Sequence, residues 1–153
     1  MGTRLRDYSE RIPKPLVEVG ARPILWHLMK YYAHYGHTEF ILCLGHGAGA
    51  IKEFFLKYDQ SLSSDFVLSE GKKIDLLERD IQDWRITFVD TGLHTNVGER
   101  LRAVQDLLGG DELFFANYAD ALCDLNLDEY VASFKSRDKV ASFLSVPAPY
   151  TFH

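Results

Sequence analysis

The sequence predicts an α/β fold with a mostly parallel sheet and helices on both of its faces. Apolar, β-branched segments alternate with amphipathic helical segments along all 153 residues, and no repeat or linker divides them. This alternation is typical of βαβ units, in which a helix connects two parallel strands. A content of 46% hydrophobic and 25% charged residues suits one globular domain with its own core, residues 1–153.

The first predicted helix lies in "RPILWHLMKYYAHYG", residues 22–36. Pro23 suits its first turn and Gly36 its C-terminal stop. Apolar side chains recur there at helical spacing: Ile24, Leu25, Leu28, Met29 and Tyr32. The segment "TEFILCL" then predicts a buried strand, and "AIKEFFLKY" predicts a short helix.

The second half of the chain continues the alternation. Strands are predicted in "SDFVLS", "WRITFVDTG", "ELFFANY" and "KVASFLSV", because each is rich in β-branched or aromatic residues. A helix is predicted in "GERLRAVQDLL" and another in "LDEYVASFKSR", where Asn126 can act as the N-cap. In a parallel sheet, ligands gather beyond the carboxyl ends of the strands, so the loops there are the place to look for a site.

Charge and hydropathy exclude several classes of protein. The net charge of -5 argues against a nucleic-acid partner, since such surfaces are basic. The longest apolar runs are far short of the ~20 residues of a membrane helix, and no signal peptide precedes them. A cytoplasmic protein without a membrane partner is therefore expected. The two cysteines, Cys43 and Cys123, have no metal-binding spacing and are predicted to be buried free thiols.

One candidate site is the turn in "FILCLGHGAGA". Gly45, Gly47 and Ala50 have the G-x-G-x-x-A spacing of a dinucleotide fold, and Glu70 follows 20 residues later, where a ribose-binding carboxylate would lie. An NAD-binding module is therefore one hypothesis. The alternative is a plain strand-to-helix turn with His46 facing solvent, because short glycine-rich turns are common without any ligand.

The opening stretch is a second candidate site. Thr3, Arg4 and Lys14 supply hydroxyl, guanidinium and ammonium groups that suit a polyphosphate. Pro13 and Pro15 hold the backbone of Lys14 extended, so that its side chain projects from a stiff support. The alternative is a basic tail whose charge is balanced by neighbouring carboxylates.

The ordered segments "GTRL", "PKPLVEVG", "RPILWHLMKYY", "ITFVDTG", "GERLRAV" and "NYADALCDL" resemble the sugar-phosphate nucleotidyltransferases, above all those that transfer a cytidylyl group to glucose 1-phosphate. The resemblance implies a Rossmann-like α/β/α fold of three layers. It also implies transfer of a nucleoside monophosphate from a nucleoside triphosphate, CTP, to a sugar 1-phosphate, with Mg2+ and release of pyrophosphate. The complete protein would form a homo-oligomer. No covalent nucleophile is needed for the implied in-line attack.

The same resemblance implies the site residues. Gly2, Thr3 and Arg4 match the end of the family's glycine-rich loop, which binds the nucleotide, and Lys14 matches the lysine that contacts its phosphates. Arg4 and Lys14 would thus neutralise charge during the reaction.

Three further positions match the family's nucleotide and metal site. Gly98 and Arg100 fall where the nucleotide is recognised, at the start of a helix whose positive end favours an anion. The alternative for Arg100 is a solvated helix residue. Asp120 matches the metal-binding aspartate, which makes it a Mg2+ ligand and a catalytic residue. The nearby Asp124 is expected to have no such role.

The chain also departs from the family. The first strand and the first glycines of the loop are missing at one end, and the sugar-binding residues and a second metal-binding aspartate are missing at the other. The domain is therefore expected to be incomplete at both ends, poorly stable, and weak or inactive in isolation. A catalytically inert relative is the alternative. Ala119 and Ala121 replace the glycines that flank the family's aspartate.

Overall fold

The computed structural model describes residues 12–78 and 80–147. The chain forms two compact units, which divide between Leu122 and Cys123. The helices are α1 (Ile24–His34), α2 (Ala48–Leu56), α3 (Val97–Ala103) and α4 (Leu127–Ser136), with 3-10 turns at Lys14–Leu16, Gln60–Leu62 and Gln105–Leu108. The strands are β1 (Glu18–Val19), β2 (Arg22–Pro23), β3 (Glu39–Leu44), β4 (Phe66–Ser69), β5 (Lys73–Leu76) and β6 (Arg85–Asp90).

Strands β3 and β6 form a parallel pair that runs in register from Glu39 opposite Arg85 to Leu44 opposite Asp90. The backbone N–H of Thr91 extends the pairing by donating to the Leu44 carbonyl at 2.9 Å. Both strands therefore end at the same edge, as parallel strands must. The predicted α/β character with parallel pairing is confirmed in this coarse form, while the full three-layer arrangement remains a prediction.

The strand predicted in residues 64–69 is present as β4, but it lies outside the parallel pair and forms an antiparallel hairpin with β5. The turn between them is tight: Glu70 (φ 52°) and Gly71 (φ 72°) have positive φ, and Lys72 N–H donates to the Ser69 carbonyl at 3.2 Å. Such a turn reverses the chain and matches the twist of a hairpin. The sequence signal of the second strand, "KIDL", was missed.

The strands predicted in residues 112–118 and 139–146 were also wrong. These segments pair with no strand among the described residues. Phe114 is 46% exposed and Phe143 is 85% exposed. A β-rich composition shows only that a segment can join a sheet, whereas a strand exists only where a neighbour accepts and donates its hydrogen bonds.

The core of the first unit lies where α1 and α2 pack against the parallel pair. Leu25 and Met29 from α1, Leu44 from β3 and Ile51 from α2 form its buried centre. The predicted helix in residues 22–36 is confirmed, with Pro23 directly before its first residue. Gly36 follows it with φ 85°, as expected of a helix stop.

Side-chain caps fix where α3 and α4 begin. Asn126 accepts from Glu129 N–H at 3.3 Å and caps α4, as predicted. Asn96 and Glu99 form a capping box at α3, with hydrogen bonds of 2.9 and 3.2 Å. The predicted helix in residues 98–108 is interrupted after Ala103 and continues as a 3-10 turn.

The two thiols differ in their surroundings, and both are free. Cys43 is half-buried on β3, and burial raises the pKa of its thiol against the opposing effect of Arg100. Cys123 is exposed, so the prediction of two buried thiols was wrong for this residue. None of the helices in the described ranges is long and apolar enough to cross a bilayer.

A buried polar cluster joins α1 to the segment after α2. Tyr58 donates to Asp80 Oδ2 and accepts from Trp26 Nε1 at 2.7 Å, and Lys30 Nζ lies 3.6 Å from Asp80 Oδ1. The Arg22 guanidinium packs over the Tyr58 ring at 4.1 Å. Arg22 and Asp80 are each only 4% exposed. Because buried polar groups are costly when they lose a partner, this cluster is expected to contribute strongly to stability.

Tyr58→Phe is expected to lower the free energy of unfolding by about 1–3 kcal/mol, because Asp80 and Trp26 each lose a partner in a buried setting. Urea unfolding at neutral pH measures this, with Tyr118→Phe as the control, since Tyr118 is 76% exposed. Equal stabilities of the two variants would show that the hydrogen bonds of the Tyr58 hydroxyl add nothing to stability.

The effect of Tyr58 is also expected to depend on pH. Burial, with the hydrogen bond to Asp80, raises the pKa of Tyr58 from 10.0 to about 12. A pKa raised on folding gives a stabilisation that is complete below the unfolded pKa and is lost as the pH rises through the folded pKa. The stability difference between wild type and Tyr58→Phe should therefore shrink between pH 10 and about 12. A constant difference in unfolding experiments across this range would contradict the assignment.

Candidate functional site

The turn between β3 and α2, residues 45–47, lies at the carboxyl edge of the parallel pair. Gly47 has φ 73° and serves as the N-cap of α2. Ala48 N–H donates to the Gly45 carbonyl at 3.2 Å, which closes the turn. His46 is exposed, as predicted. We call residues 45–47 the β3–α2 turn.

Two side chains pack directly on the glycines of this turn. A Cβ added at Gly47 would lie 2.2 Å from Pro13 Cγ, and one added at Gly45 would lie 2.7 Å from Arg100 Nη2. Both distances are too short for any side chain. The two glycines are thus explained by the close approach of Pro13 and Arg100.

Arg100 is half-buried on α3, and protein acceptors surround its guanidinium. Nε donates to the Thr95 carbonyl at 3.0 Å, and Nη2 donates to the Gly92 carbonyl at 2.9 Å. Nη1 donates to the Leu44 carbonyl at 3.1 Å and to Thr91 Oγ1 at 2.5 Å. The alternative that Arg100 is a solvated helix residue is therefore wrong.

Lys14 begins the 3-10 turn that directly follows Pro13. Its side chain is exposed, and its ammonium group has no hydrogen-bond or ion-pair partner among the residues that the structure describes. Because Pro13 contacts Gly47, the chain at Lys14 is held close to the β3–α2 turn. Pro13 and the following Lys14, which we call the Lys14 segment, therefore lie at the Gly47 end of this turn, and Arg100 lies at the Gly45 end.

Asp120 follows Ala119, which has φ 60° and packs against the core cluster around Leu44. Asp120 is exposed, and its carboxylate has no partner within the described part of the chain. No group of three His, Cys, Asp or Glu side chains with metal-binding geometry occurs in residues 12–78 and 80–147. A single open carboxylate fits magnesium, which keeps several waters and binds one or two carboxylates together with substrate phosphates.

Of the remaining predicted site residues, the structure describes only Gly98. Gly98 is exposed in the first turn of α3, and its nearest non-neighbouring atom is Asn96 Oδ1, 3.5 Å from an added Cβ. Gly2, Thr3 and Arg4 lie outside the described residues.

The geometry does not support the dinucleotide hypothesis. In a dinucleotide fold the ribose-binding carboxylate lies at the end of the parallel strand that follows the helix. The parallel partner of β3 that follows α2 is β6, whereas Glu70 lies in the turn of the β4–β5 hairpin.

The partners of Arg100 were missed by sequence reasoning. Thr91, Gly92 and Thr95 surround its guanidinium, mostly through backbone carbonyls, which carry no sequence signal. The start of α3, in contrast, has a sequence signal, because the spacing Asn-x-x-Glu of Asn96 and Glu99 before an apolar run is typical of a helix start.

Comparison with known families finds no family model that matches the chain. The chain is similar to the probable glucose-1-phosphate cytidylyltransferase of Bacillus subtilis, at 37% identity over 145 residues, which covers 95% of this chain and 56% of the relative. It is 34% identical over 152 residues to the glucose-1-phosphate cytidylyltransferase of Salmonella typhimurium, covering 99% and 59%. A mannose-1-phosphate guanyltransferase of Gibberella zeae is 24% identical over 135 residues.

These matches confirm the resemblance that the motifs predicted. The chain spans 56–59% of the length of the two cytidylyltransferases.

Substitution by alanine of Gly47, in the β3–α2 turn, and of Gly49, in α2, should have opposite effects on stability. Gly47→Ala is expected to lower the free energy of unfolding by about 1–3 kcal/mol, because the methyl group meets Pro13 and the residue has positive φ. Gly49→Ala is the control: an added Cβ there meets nothing within 4 Å, and alanine should raise stability by up to about 1 kcal/mol. Chemical denaturation measures both, and similar effects would show that Pro13 does not pack on the turn.

Proposed function

We propose that this chain, which is related to glucose-1-phosphate cytidylyltransferases over nearly its whole length, forms the nucleotide-binding part of an enzyme that transfers a nucleoside monophosphate to a sugar 1-phosphate. The nucleoside triphosphate is CTP and the acceptor is glucose 1-phosphate. The guanyltransferase relative supports the general reaction but uses a different base and sugar by its name. The complete protein supplies the sugar site and assembles as a homo-oligomer.

One observation supports this proposal above the others. The Lys14 segment contacts the β3–α2 turn through Pro13, and the Lys14 ammonium group has no partner within the described ranges. Exposed lysines without a partner are common on protein surfaces, and Lys14 differs from them in its position beside the glycine turn at the carboxyl end of β3. An exposed, unpaired cation on a stiff support is suited to bind the phosphates of a nucleotide.

In the proposed reaction, an oxygen of the sugar 1-phosphate attacks the α-phosphorus of the nucleotide in line, and pyrophosphate leaves. Lys14 and Arg4 hold the phosphates and offset the negative charge that builds up on them. Asp120 would hold Mg2+, which when bound neutralises phosphate charge and orients the phosphate oxygens. No side chain forms a covalent bond with the substrate. The protein therefore contributes by positioning and by charge.

Gly98 completes the proposed nucleotide site together with Gly2 and Thr3. With nothing closer than 3.5 Å to an added Cβ, the surface at Gly98 is open to a ligand. A residue without a side chain lets a base approach the backbone closely.

Calorimetric titration tests the proposal. CTP should bind the chain more tightly with Mg2+ than without it, and more tightly than UTP, dTTP, ATP or NAD. Lys14→Ala should weaken CTP binding by about 10- to 100-fold, the effect of one charge-assisted hydrogen bond. Asp120→Asn should remove the dependence on Mg2+.

The matched controls are Lys72→Ala, at an exposed lysine in the β4–β5 turn, and Asp124→Asn, at an exposed aspartate four residues further on. Neither should change CTP binding. If folded wild-type chain binds no nucleotide, or if Lys72→Ala weakens binding as much as Lys14→Ala, the proposal fails for this chain. Binding of NAD alone would point to the dinucleotide class instead.

A further inference from the structure

We propose that a surface cleft beside the start of α1 binds a small organic acid with one carboxylate and an apolar body, and that the buried guanidinium of Arg22 holds this carboxylate. The cleft is lined by residues 21–22, 26–27, 61–66 and 77 and has a volume of about 870 Å³, and we call it the Arg22 cleft. Pockets for small organic ligands are commonly of this size. The described residues of the predicted nucleotide site do not line it, so the proposal does not depend on the proposed function.

Arg22 carries a buried positive charge that the described residues compensate only in part. It is 4% exposed, and its guanidinium cannot lose its charge in a protein. Of its donors, only Nη2 has a hydrogen-bond partner within residues 12–78 and 80–147, the Asp59 carbonyl, and the buried Nε has none there. Packing over the Tyr58 ring offsets part of the cost of burial.

The buried carboxylate of the same cluster does not neutralise Arg22 by direct contact. Asp80 Oδ1 lies 3.6 Å from Lys30 Nζ, and Arg22 forms no ion pair in the described part of the chain. A buried charge without a counter-ion is costly. Because Arg22 also lines the cleft, an anion bound there would supply the missing counter-charge.

Two carboxylates near Arg22 limit the charge that the ligand can carry. The carboxylate of Asp59 is exposed and accepts from the N–H and the hydroxyl of Ser61, at 2.9 and 2.7 Å. Asp65 is exposed and lines the cleft itself. Both repel an anion, and they repel a dianion about twice as strongly as a monoanion. A carboxylate is therefore favoured over a phosphate.

The other walls of the cleft suit an apolar ligand body with one polar end. Apolar surface comes from Trp26, Leu62, Phe66 and Leu77, and both leucines are largely exposed. A short hydrocarbon chain would bury part of this surface and gain from the hydrophobic effect. Ser64 is half-buried in the lining, and its hydroxyl has no partner among the described residues. A hydroxyl can donate to a carboxylate.

Nuclear magnetic resonance titration of the folded chain with butyrate tests the proposal. The chain has two tryptophans: Trp26 lines the cleft, whereas Trp84 packs on Phe40 and lies outside the lining. Butyrate should shift the indole N–H signal of Trp26 in a saturable way, with a Kd of about 1 mM, and leave that of Trp84 unchanged. Butanol and inorganic phosphate, at equal ionic strength, should each bind at least about tenfold more weakly.

Two substitutions with opposite expected effects identify the groups that act on the carboxylate. Arg22→Lys keeps a positive charge but lacks the planar set of donors, so it should weaken butyrate binding by about tenfold. Asp65→Asn removes a repelling charge and should strengthen binding by about two- to threefold. Asp83→Asn is the matched control, because Asp83 is an exposed aspartate outside the lining, and it should leave the Kd unchanged.

Should Arg22→Lys fail to fold, Leu77→Glu places a negative charge at an exposed position of the lining and should weaken butyrate binding by about fivefold or more. Leu56→Glu is its control, since Leu56 is exposed outside the cleft. The proposal is overturned if no saturable shift of Trp26 occurs below about 20 mM butyrate. It is also overturned if butanol or phosphate binds as tightly as butyrate, or if Asp65→Asn weakens binding.

Discussion

The parallel pairing of β3 with β6 is the constraint on which the rest of the first unit depends. It brings the ends of two distant segments to one edge, where the Leu44 carbonyl accepts from Thr91 N–H, Thr91 Oγ1 and Arg100 Nη1. This one oxygen connects two strands and a helix. The β3–α2 turn emerges at the same point, and its glycines are needed because Arg100 and Pro13 lie so close to it.

The cationic side chains near this edge differ in how many of their donors the fold uses. The donors of Arg100 are occupied by the protein, whereas the ammonium group of Lys14 has no partner among the described residues. Asp120 resembles Lys14 in this respect, because it too is exposed and unpaired there. Direct contact with a ligand needs open hydrogen-bonding capacity, which the exposed side chains of Lys14 and Asp120 have in the described part of the chain.

Much of the local structure could be predicted from the sequence, because it depends on neighbours in the chain. Helices α1, α2 and α4 follow from their apolar spacing, and Asn126 caps α4 through a residue three positions away. Pairing between distant segments was harder to predict. Residues 112–118 have a strand-like composition without a partner strand among the described residues. Strand β4 pairs with β5, whose composition does not predict a strand. The surroundings of Arg100 were unpredictable for the same reason, since its acceptors are mostly backbone carbonyls.

The buried polar cluster around Tyr58 responds differently to dissolved ions than the proposed site does. Arg22 and Asp80 are only 4% exposed, so mobile ions cannot come between them and their partners. Lys14 and Asp120 face solvent, where attraction over more than about 8 Å is largely screened at physiological ionic strength. Raising the salt concentration therefore weakens long-range attraction between an anion and the Lys14 ammonium group, while the cluster around Tyr58 is little affected. Ionic strength can thus distinguish electrostatic binding at the proposed site from the stability of the fold.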